Sequence, residues 1–240
     1  MRKSYGICSD GAELMVFCTA VDSKIKKIDR FLFTKIEEKI NELQQNSDKD
    51  DFETIKEKLK NPPILSPEEF ALEAAYVVLA GGFSQKTAKK KFSEISKLIE
   101  NRKEVSSDEI FEIFHNPNKA GAIAKIWNGR EKFCRNFYSL QSADEKLKFL
   151  ETLPHIGKIT KNHLARNLGI SVVKYDIWIQ RLAIALLGNG EKATFPLDEN
   201  IKKYCDKMFE DLQKETDFPV GYLDAVLWKA CQIGIFSFQE

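Results

Sequence analysis

The stretch that most restricts the architecture of this 240-residue chain runs from Leu153 to Arg181. Leu153, Pro154, His155, Ile156 and Gly157 form a Pro-x-x-Gly turn between two helical patterns. A single carboxylate, Asp176, follows Gly157 by nineteen residues and heads the next apolar run, Ile177 to Ile179. A turn of this kind directs successive backbone N–H groups, at the positive end of the following helix, toward one anion. Gly157 leaves the backbone open to close approach, Pro154 fixes the chain leaving the first helix, and Ile156 faces inward and joins the two helices.

The side chains around the turn agree with an anionic partner. Thr160 offers a hydroxyl, and Lys158 and Lys161 offer positive charge. Residues 152–182 carry Lys158, Lys161, Arg166, Lys174 and Arg181 against Asp176 alone, in a chain whose formal net charge is +1. One polyanion-facing surface fits that local excess; a solvated helix face is the plainer alternative. Backbone contacts of this sort position a nucleic acid without reading its sequence and make binding salt-dependent.

The rest of the pattern is helical almost throughout. Ser66 to Glu69, Ser106 to Glu109 and Ser142 to Glu145 are capping boxes, the first with Pro67 at the opening helical position. Asn116-Pro117-Asn118 and Asn189-Gly190 each separate two helices, and Gly169 stands where a helix ends in a left-handed cap. Ile25 to Leu43 reads as a charged amphipathic helix, followed by a polar run from Gln44 to Asp51 and a stop at Pro62-Pro63. Ala12 to Val21 is apolar and fits a strand or a buried helix equally. Gly221 to Trp228 reads as a packed closing helix, with Asp224 as a structural polar group.

Several classes are excluded. No run of 18 apolar residues suggests a membrane span, and the N-terminal residues lack the apolar core of a secretion signal, so cytosolic residence is expected. Cys8, Cys18, Cys134, Cys205 and Cys231 are scattered, without a C-x-x-C pair, and read as buried thiols rather than disulfide, zinc or iron–sulfur ligands. His115, His155 and His163 have no metal-ligand spacing. No phosphate-loop, dinucleotide-loop or zinc-protease motif occurs.

Asp176 admits two roles. As a helix N-cap it satisfies backbone N–H groups. As a catalytic group it stabilises positive charge developing on a sugar when a glycosidic bond breaks, or orients water. The roles are compatible.

Leu153, Pro154, Ile156, Gly157, Thr160, Asp176 and Arg181 match, in type and order, the signature of the helix–hairpin–helix DNA glycosylases. That signature is L-P-G-[IV]-G-x-[KS]-T-A followed by an aspartate before an apolar stretch and an arginine. Phe83 to Thr87 resembles the family's S-x-Q-x-[TS] element, and Asn118-Lys119-Ala120 to Ile126 its N-x-K-A helix, so the similarity spans roughly residues 66–185. The resemblance implies an all-α fold of two helical lobes about a central cleft. Residues 1–64 would be a helical extension contributing to one lobe, and 65–240 the glycosylase-like domain.

The resemblance further implies Asp176 as the catalytic carboxylate. Ile156, Gly157, Lys158, Thr160, Lys161 and Arg181 would bind DNA phosphate, with a monovalent cation at the hairpin backbone near Gly157. Gln85 would be a wedge filling the gap left by an extruded nucleotide; a polar residue beside Gly81-Gly82 is the structural alternative. Trp178, Tyr175 and Trp127 are candidates to stack on the base. Two departures stand out: His155 replaces the first hairpin glycine, and Ile159 occupies the position of the Schiff-base lysine in bifunctional members. The expectation is therefore a monofunctional, hydrolytic base-excision enzyme without organic cofactor, acting as a monomer on duplex DNA bearing a damaged or modified base. A glycosylase-fold enzyme acting on hypermodified bases without excision, and a non-catalytic DNA-binding module, are the rival readings.

Overall fold

The computed structural model describes residues 27–43, 52–236 and Phe238, with Gln85 described through its backbone. The apolar run Ala12 to Val21, the polar run Gln44 to Asp51, and Cys8 and Cys18 lie outside the described residues. Among the described residues there are twelve helices and no strand, so the all-α expectation holds. No helix is long and apolar enough to cross a membrane.

Packing divides the chain into two units, residues 1–52 with 175–240 and residues 53–174. The sequence reading drew its line after residue 64. The physical difference is that the described residues on either side of 53–174 in sequence share one unit and the middle forms the other.

The inserted unit, 53–174, holds α2 (Phe52–Lys60, whose first residue falls to the other unit), α3 (Pro67–Ala80), α4 (Gln85–Ile99), α5 (Ser107–Phe114), α6 (Pro117–Asn128), α7 (Arg130–Ser139), α8 (Ala143–Leu150) and α9 (Thr160–Asn167). α3 is its axis. Phe70, Ala71, Ala74, Ala75, Val77, Val78 and Leu79 are all buried, as expected of a helix that is apolar on most sides. Its alanines let neighbours approach closely, and α4, α6, α7 and α9 all pack on it. Tyr138 of α7 anchors the proline segment before α3: its hydroxyl accepts from Leu65 N–H at 2.8 Å and donates to the Pro63 carbonyl at 3.3 Å.

The three capping boxes form as the sequence implies. Ser66, Ser106 and Ser142 each accept from the backbone N–H of Glu69, Glu109 and Glu145, whose carboxylates return the bond. Those returned bonds hold all three glutamate carboxyls below the usual range. Helix α2 is an element the sequence reading did not single out; Phe52 and Leu59 are its buried residues.

Gly169 closes α9 in a Schellman motif. Its φ is +85°, its N–H donates to Arg166 O at 3.0 Å, and Ile170 N–H donates to Ala165 O at 2.9 Å. A Cβ there would stand 2.8 Å from Pro62 Cβ and 3.2 Å from Lys58 O. Backbone sign and lack of space both demand glycine.

The terminal unit holds α1 (Arg30–Leu43), α10 (Ile177–Leu187), α11 (Glu199–Thr216) and α12 (Val220–Gln232). The amphipathic helix expected from Ile25 begins at Arg30 and buries Phe33, Ile36 and Ile40. Helix α1 packs against α11 and α12. Phe33 meets Phe218 and Tyr222 at ring centroid distances of 6.0 and 5.9 Å, and the buried Tyr222 hydroxyl bonds the Glu37 carboxylate. Cys134, Cys205 and Cys231 are buried free thiols. Burial first, then nearby carboxylates, raises all three, with Cys205 pushed up to about 12.

Gly169→Ala should destabilise the protein by about 2–4 kcal/mol, from a left-handed residue with a Cβ plus overpacking against Pro62. Urea denaturation measures the loss. An unchanged midpoint would refute this account of the α9 terminus.

Candidate functional site

The hairpin lies in the inserted unit between α8 and α9. Leu150, Leu153, Ile156 and Leu164 are buried and form the wedge of core that joins the two helices. Ile156 is thus corrected as a phosphate donor. Its side chain is buried and its N–H donates to Leu153 O at 3.1 Å, so its contribution is to hold the hairpin together.

The turn itself is exposed at His155, Gly157 and Lys158. His155 has φ +62°. The left-handed conformation that a glycine supplies freely at this place is here adopted by a histidine, at a cost of about 1–2 kcal/mol. Gly157 is left with space: a Cβ would meet only Thr160 Oγ1, at 3.9 Å.

Helix α9 opens at Ile159 with no side-chain cap. The N–H groups of Lys158, Ile159 and Thr160 donate to no other group among the described residues, and this opening is the place where an anion would complete the helix terminus. Thr160 is already engaged. Its hydroxyl accepts from Gly157 N–H at 2.7 Å and faces Gly157 O at 3.3 Å, so it shapes the turn. Lys161 pairs with Glu151 at the end of α8, which ties the helices across the turn. Lys158 is the exposed cation beside the open amides.

A monovalent cation would use hairpin carbonyls. Those of Leu153 and Gly157 already accept N–H groups, whereas those of Pro154, His155 and Ile156 accept none among the described residues. The oxygens present therefore fit such an ion. No group of three or more potential metal-binding side chains occurs among the described residues.

His163, on α9, meets Tyr76 edge-on at 6.1 Å. Burial, with Lys174 and Arg166 adding to it, pushes its pKa well below the ordinary 6.5. It belongs to the packing and is held neutral.

The loop before α4 lies against the hairpin. A Cβ on Gly81 would stand 3.8 Å from Thr160 Cγ2. Gly82 turns the chain with φ +95°, and Ser84 caps α4 by accepting from Thr87 N–H at 3.2 Å. Gln85 is the first residue of α4. This loop is secured by Lys119, a residue whose burial the sequence did not reveal. The residue is 6% exposed, and its ammonium donates to Leu79 O at 3.3 Å and to Gly81 O and sits 4.6 Å from the Phe83 ring centroid. Burial lowers its pKa. A cation placed on the last carbonyls of α3 also suits that helix's dipole.

Asp176 lies in the terminal unit. It is the N-cap of α10, with Oδ1 accepting from Trp178 N–H at 3.0 Å and Ile179 N–H at 3.3 Å. Capping needs only one of its oxygens, and the residue is partly exposed. Trp178 is half-buried beside Phe238, with the Arg181 guanidinium 5.5 Å from its ring. Arg181 belongs with Asp176 in this unit, apart from the hairpin residues expected to share its role.

Tyr175 has φ +52°. Its hydroxyl donates to Asp206 at 2.5 Å, and burial followed by that bond holds the phenol far above its usual range. Trp127 is corrected as a base-stacking group. It is 3% exposed in the core of the inserted unit, its Nε1–H is bound to Arg102 O at 3.1 Å, and Arg130 stacks on it at 4.5 Å. Asp224 is fully buried in α12, in keeping with its structural reading.

No protein-family model and no curated protein sequence matches the chain. Solved structures do. The 8-oxoguanine DNA glycosylase of Methanocaldococcus jannaschii superposes with a TM-score of 0.62 at 19% identity, covering 88% of this chain and 98% of that one. The same organism's 8-oxoguanine glycosylase/lyase, in complex with 15mer DNA containing 8-oxoguanine, gives 0.60 at 19% identity over 85% of this chain and 100% of that one. The 8-oxoguanine DNA glycosylase of Thermotoga maritima gives 0.60 at 19% identity over 85% and 97%. The chain has the fold of these glycosylases. Within that fold the hairpin leads into the uncapped start of α9, and Asp176 caps the start of α10.

His155→Gly should raise stability by about 0.5–1 kcal/mol, because relief of the left-handed cost exceeds the entropy glycine adds to the unfolded chain; urea denaturation decides. His163 gives a pH test. Its folded pKa is depressed, so the unfolded chain binds more protons and stability falls as pH drops below about 6.5, by at most about 1.4 kcal/mol per unit. Melting curves between pH 7 and 5 should show this slope, and His163→Gln should reduce it.

Proposed function

We propose that the protein is a DNA N-glycosylase that hydrolyses the bond between sugar and a damaged or modified base in duplex DNA. The observation that carries the reading is a pair of features on a glycosylase fold. One is a helix start whose three amides await an acceptor, and the other is a carboxylate fixed by capping bonds at the aspartate position of the motif. The amides of Lys158, Ile159 and Thr160, with the ammonium of Lys158, hold a phosphate. The nucleotide is extruded, most cheaply where its pairing is already weak, and the loop secured by Lys119 carries Gln85 toward the gap.

Asp176 then acts on the sugar. As the C1′–N bond breaks, its electron pair leaves with the base and positive charge spreads over C1′ and the ring oxygen. The ionised carboxylate stabilises that charge. Water adds to C1′ and loses a proton, the base takes one up, and an abasic sugar remains. The capping role supports this one, because the two N–H bonds fix the side-chain rotamer.

Ile159 supports a hydrolytic enzyme without a lyase step. A covalent imine needs an amine at this place, and isoleucine has none. Lys158, the exposed neighbour of Ile159, is assigned to the phosphate at the open amides.

Because the neighbouring structures are 8-oxoguanine enzymes, that base leads the test panel, alongside alkylated, deaminated and hypermodified bases. Free base is scored by mass spectrometry and strand cleavage with and without alkali. Base release without cleavage before alkali, and no borohydride-trapped adduct, is the expected result. A modified base that changes while staying attached to DNA would replace excision with a transfer reaction. Asp176→Asn should slow release at least about 100-fold with duplex binding retained; undiminished release would reduce Asp176 to a cap. Gly157→Ala should weaken binding to every duplex about tenfold and lower the salt slope by about one phosphate, while leaving the melting temperature unchanged.

A further inference from the structure

The entry to α10 is more elaborate than a helix cap requires. Asp176 alone satisfies the first N–H groups of the helix. Yet Tyr175, immediately before it, is a bulky residue in the left-handed region, φ +52°, where aromatic side chains rarely sit. Backbone strain of this kind persists only when surrounding bonds impose it.

Two sets of bonds do so here. The first is Gln180, one turn into α10 and fully buried. Its Nε2 donates to the Tyr175 carbonyl at 3.0 Å and its Oε1 accepts from Thr194 N–H at 3.0 Å. Each partner admits only one end of the amide, so the side chain has one orientation. Thr194 lies on the connection between α10 and α11, so Gln180 clamps the residue before the carboxylate to a distant piece of backbone. Its own N–H donates to the Asp176 carbonyl at 3.0 Å.

The second set is the Tyr175 hydroxyl bond to Asp206 Oδ1, whose other oxygen pairs with Lys202 at 2.6 Å. The Lys202 ammonium also lies 5.2 Å from the Tyr175 ring centroid. The strained residue is therefore gripped at its carbonyl and at the tip of its side chain. Asp176 follows across a planar peptide bond, so the grip on the Tyr175 carbonyl also fixes the Asp176 amide, and the capping bonds set the torsions of its side chain.

We propose that Gln180 is a positioning residue. By holding the Tyr175 carbonyl it fixes the Asp176 carboxylate in the place where positive charge arises on the sugar, and the Tyr175–Asp206–Lys202 chain provides the second anchor. This inference rests on Asp176 acting against a developing cation. A hydrogen-bonded amide of this kind acts through geometry, since it neither touches the sugar nor changes its charge.

The test reads the position of the negative charge directly and needs no knowledge of the base. Two duplexes are compared in equilibrium binding to the full chain. One carries a pyrrolidine abasic analogue, whose ring nitrogen is protonated and mimics the cationic sugar; the other carries the neutral tetrahydrofuran analogue. The wild-type protein should prefer the pyrrolidine duplex by at least tenfold, and Asp176→Asn should abolish the preference. Gln180→Met, which fills the same volume without either bond, should cut the preference by at least fivefold while tetrahydrofuran binding stays within about twofold. In the Asp176→Asn background Gln180→Met should change the ratio no further. Tyr175→Phe, which removes one hydroxyl at a half-buried site, should lower the ratio by a smaller factor and carries the test if Gln180→Met fails to fold. A wild-type ratio in Gln180→Met, or in Tyr175→Phe where that variant carries the test, would overturn the positioning role alone. A wild-type protein that binds both duplexes equally would instead overturn the catalytic reading of Asp176.

Discussion

A helix leaves its first N–H groups without an intrahelical acceptor, and this chain meets that constraint with an oxygen at almost every start. Ser66, Ser84, Ser106, Asn116, Ser142, Asp176 and Asp198 each accept backbone N–H groups of the helix they precede. Helix α9, like α7 and α12, has no side-chain cap. Its opening residue is Ile159, and the nearby Thr160 hydroxyl is turned back to Gly157. Of the three starts without a side-chain cap, that of α9 is the one beside the exposed hairpin, where the N–H groups of Lys158, Ile159 and Thr160 donate to no other group among the described residues. The same capping bond at Asp176 pins a carboxylate by one oxygen. Structural bookkeeping and chemistry thus share a single kind of interaction.

Much of this was legible because it is local. A serine followed three residues later by a glutamate fixes where a helix starts with no reference to the rest of the molecule, and all three such boxes form. Gly169 was legible for the same reason, since its sign of φ belongs to the helix end. The carboxylate at 176 was readable as a cap from its place before an apolar run. What escaped depends on partners far away in sequence. Trp127 looks like any aromatic until Arg102 and Arg130 take its edge and face. Lys161 looks like a surface cation until Glu151 of the preceding helix claims it. Nothing near Lys119 or Gln180 announces that a lysine will be buried on Gly81 or that an amide will reach Thr194.

Two of the buried polar residues, Lys119 and Gln180, follow one rule. Burial of a polar group is unfavourable unless its hydrogen bonds are satisfied, and each is bound to backbone rather than to another side chain. Backbone partners are insensitive to substitution, so both residues brace a loop whatever its sequence: Lys119 the Gly81 to Ser84 turn, Gln180 the corner before α10. Each stands beside one of the two chemical features of the molecule, at a place where main chain is strained or turns sharply.

The division of the chain has a bearing on biogenesis. Among the described elements helix α1 packs mainly against α11 and α12, so the hydrophobic stripe of Phe33, Ile36 and Ile40 leaves the ribosome long before those two helices exist. The middle of the chain, residues 53–174, has its contacts close at hand and is complete while α1 still waits. Vectorial synthesis therefore builds the described part of this molecule from the inside outward, and the Arg30–Leu43 helix, though made before the middle unit, is among the last to be seated.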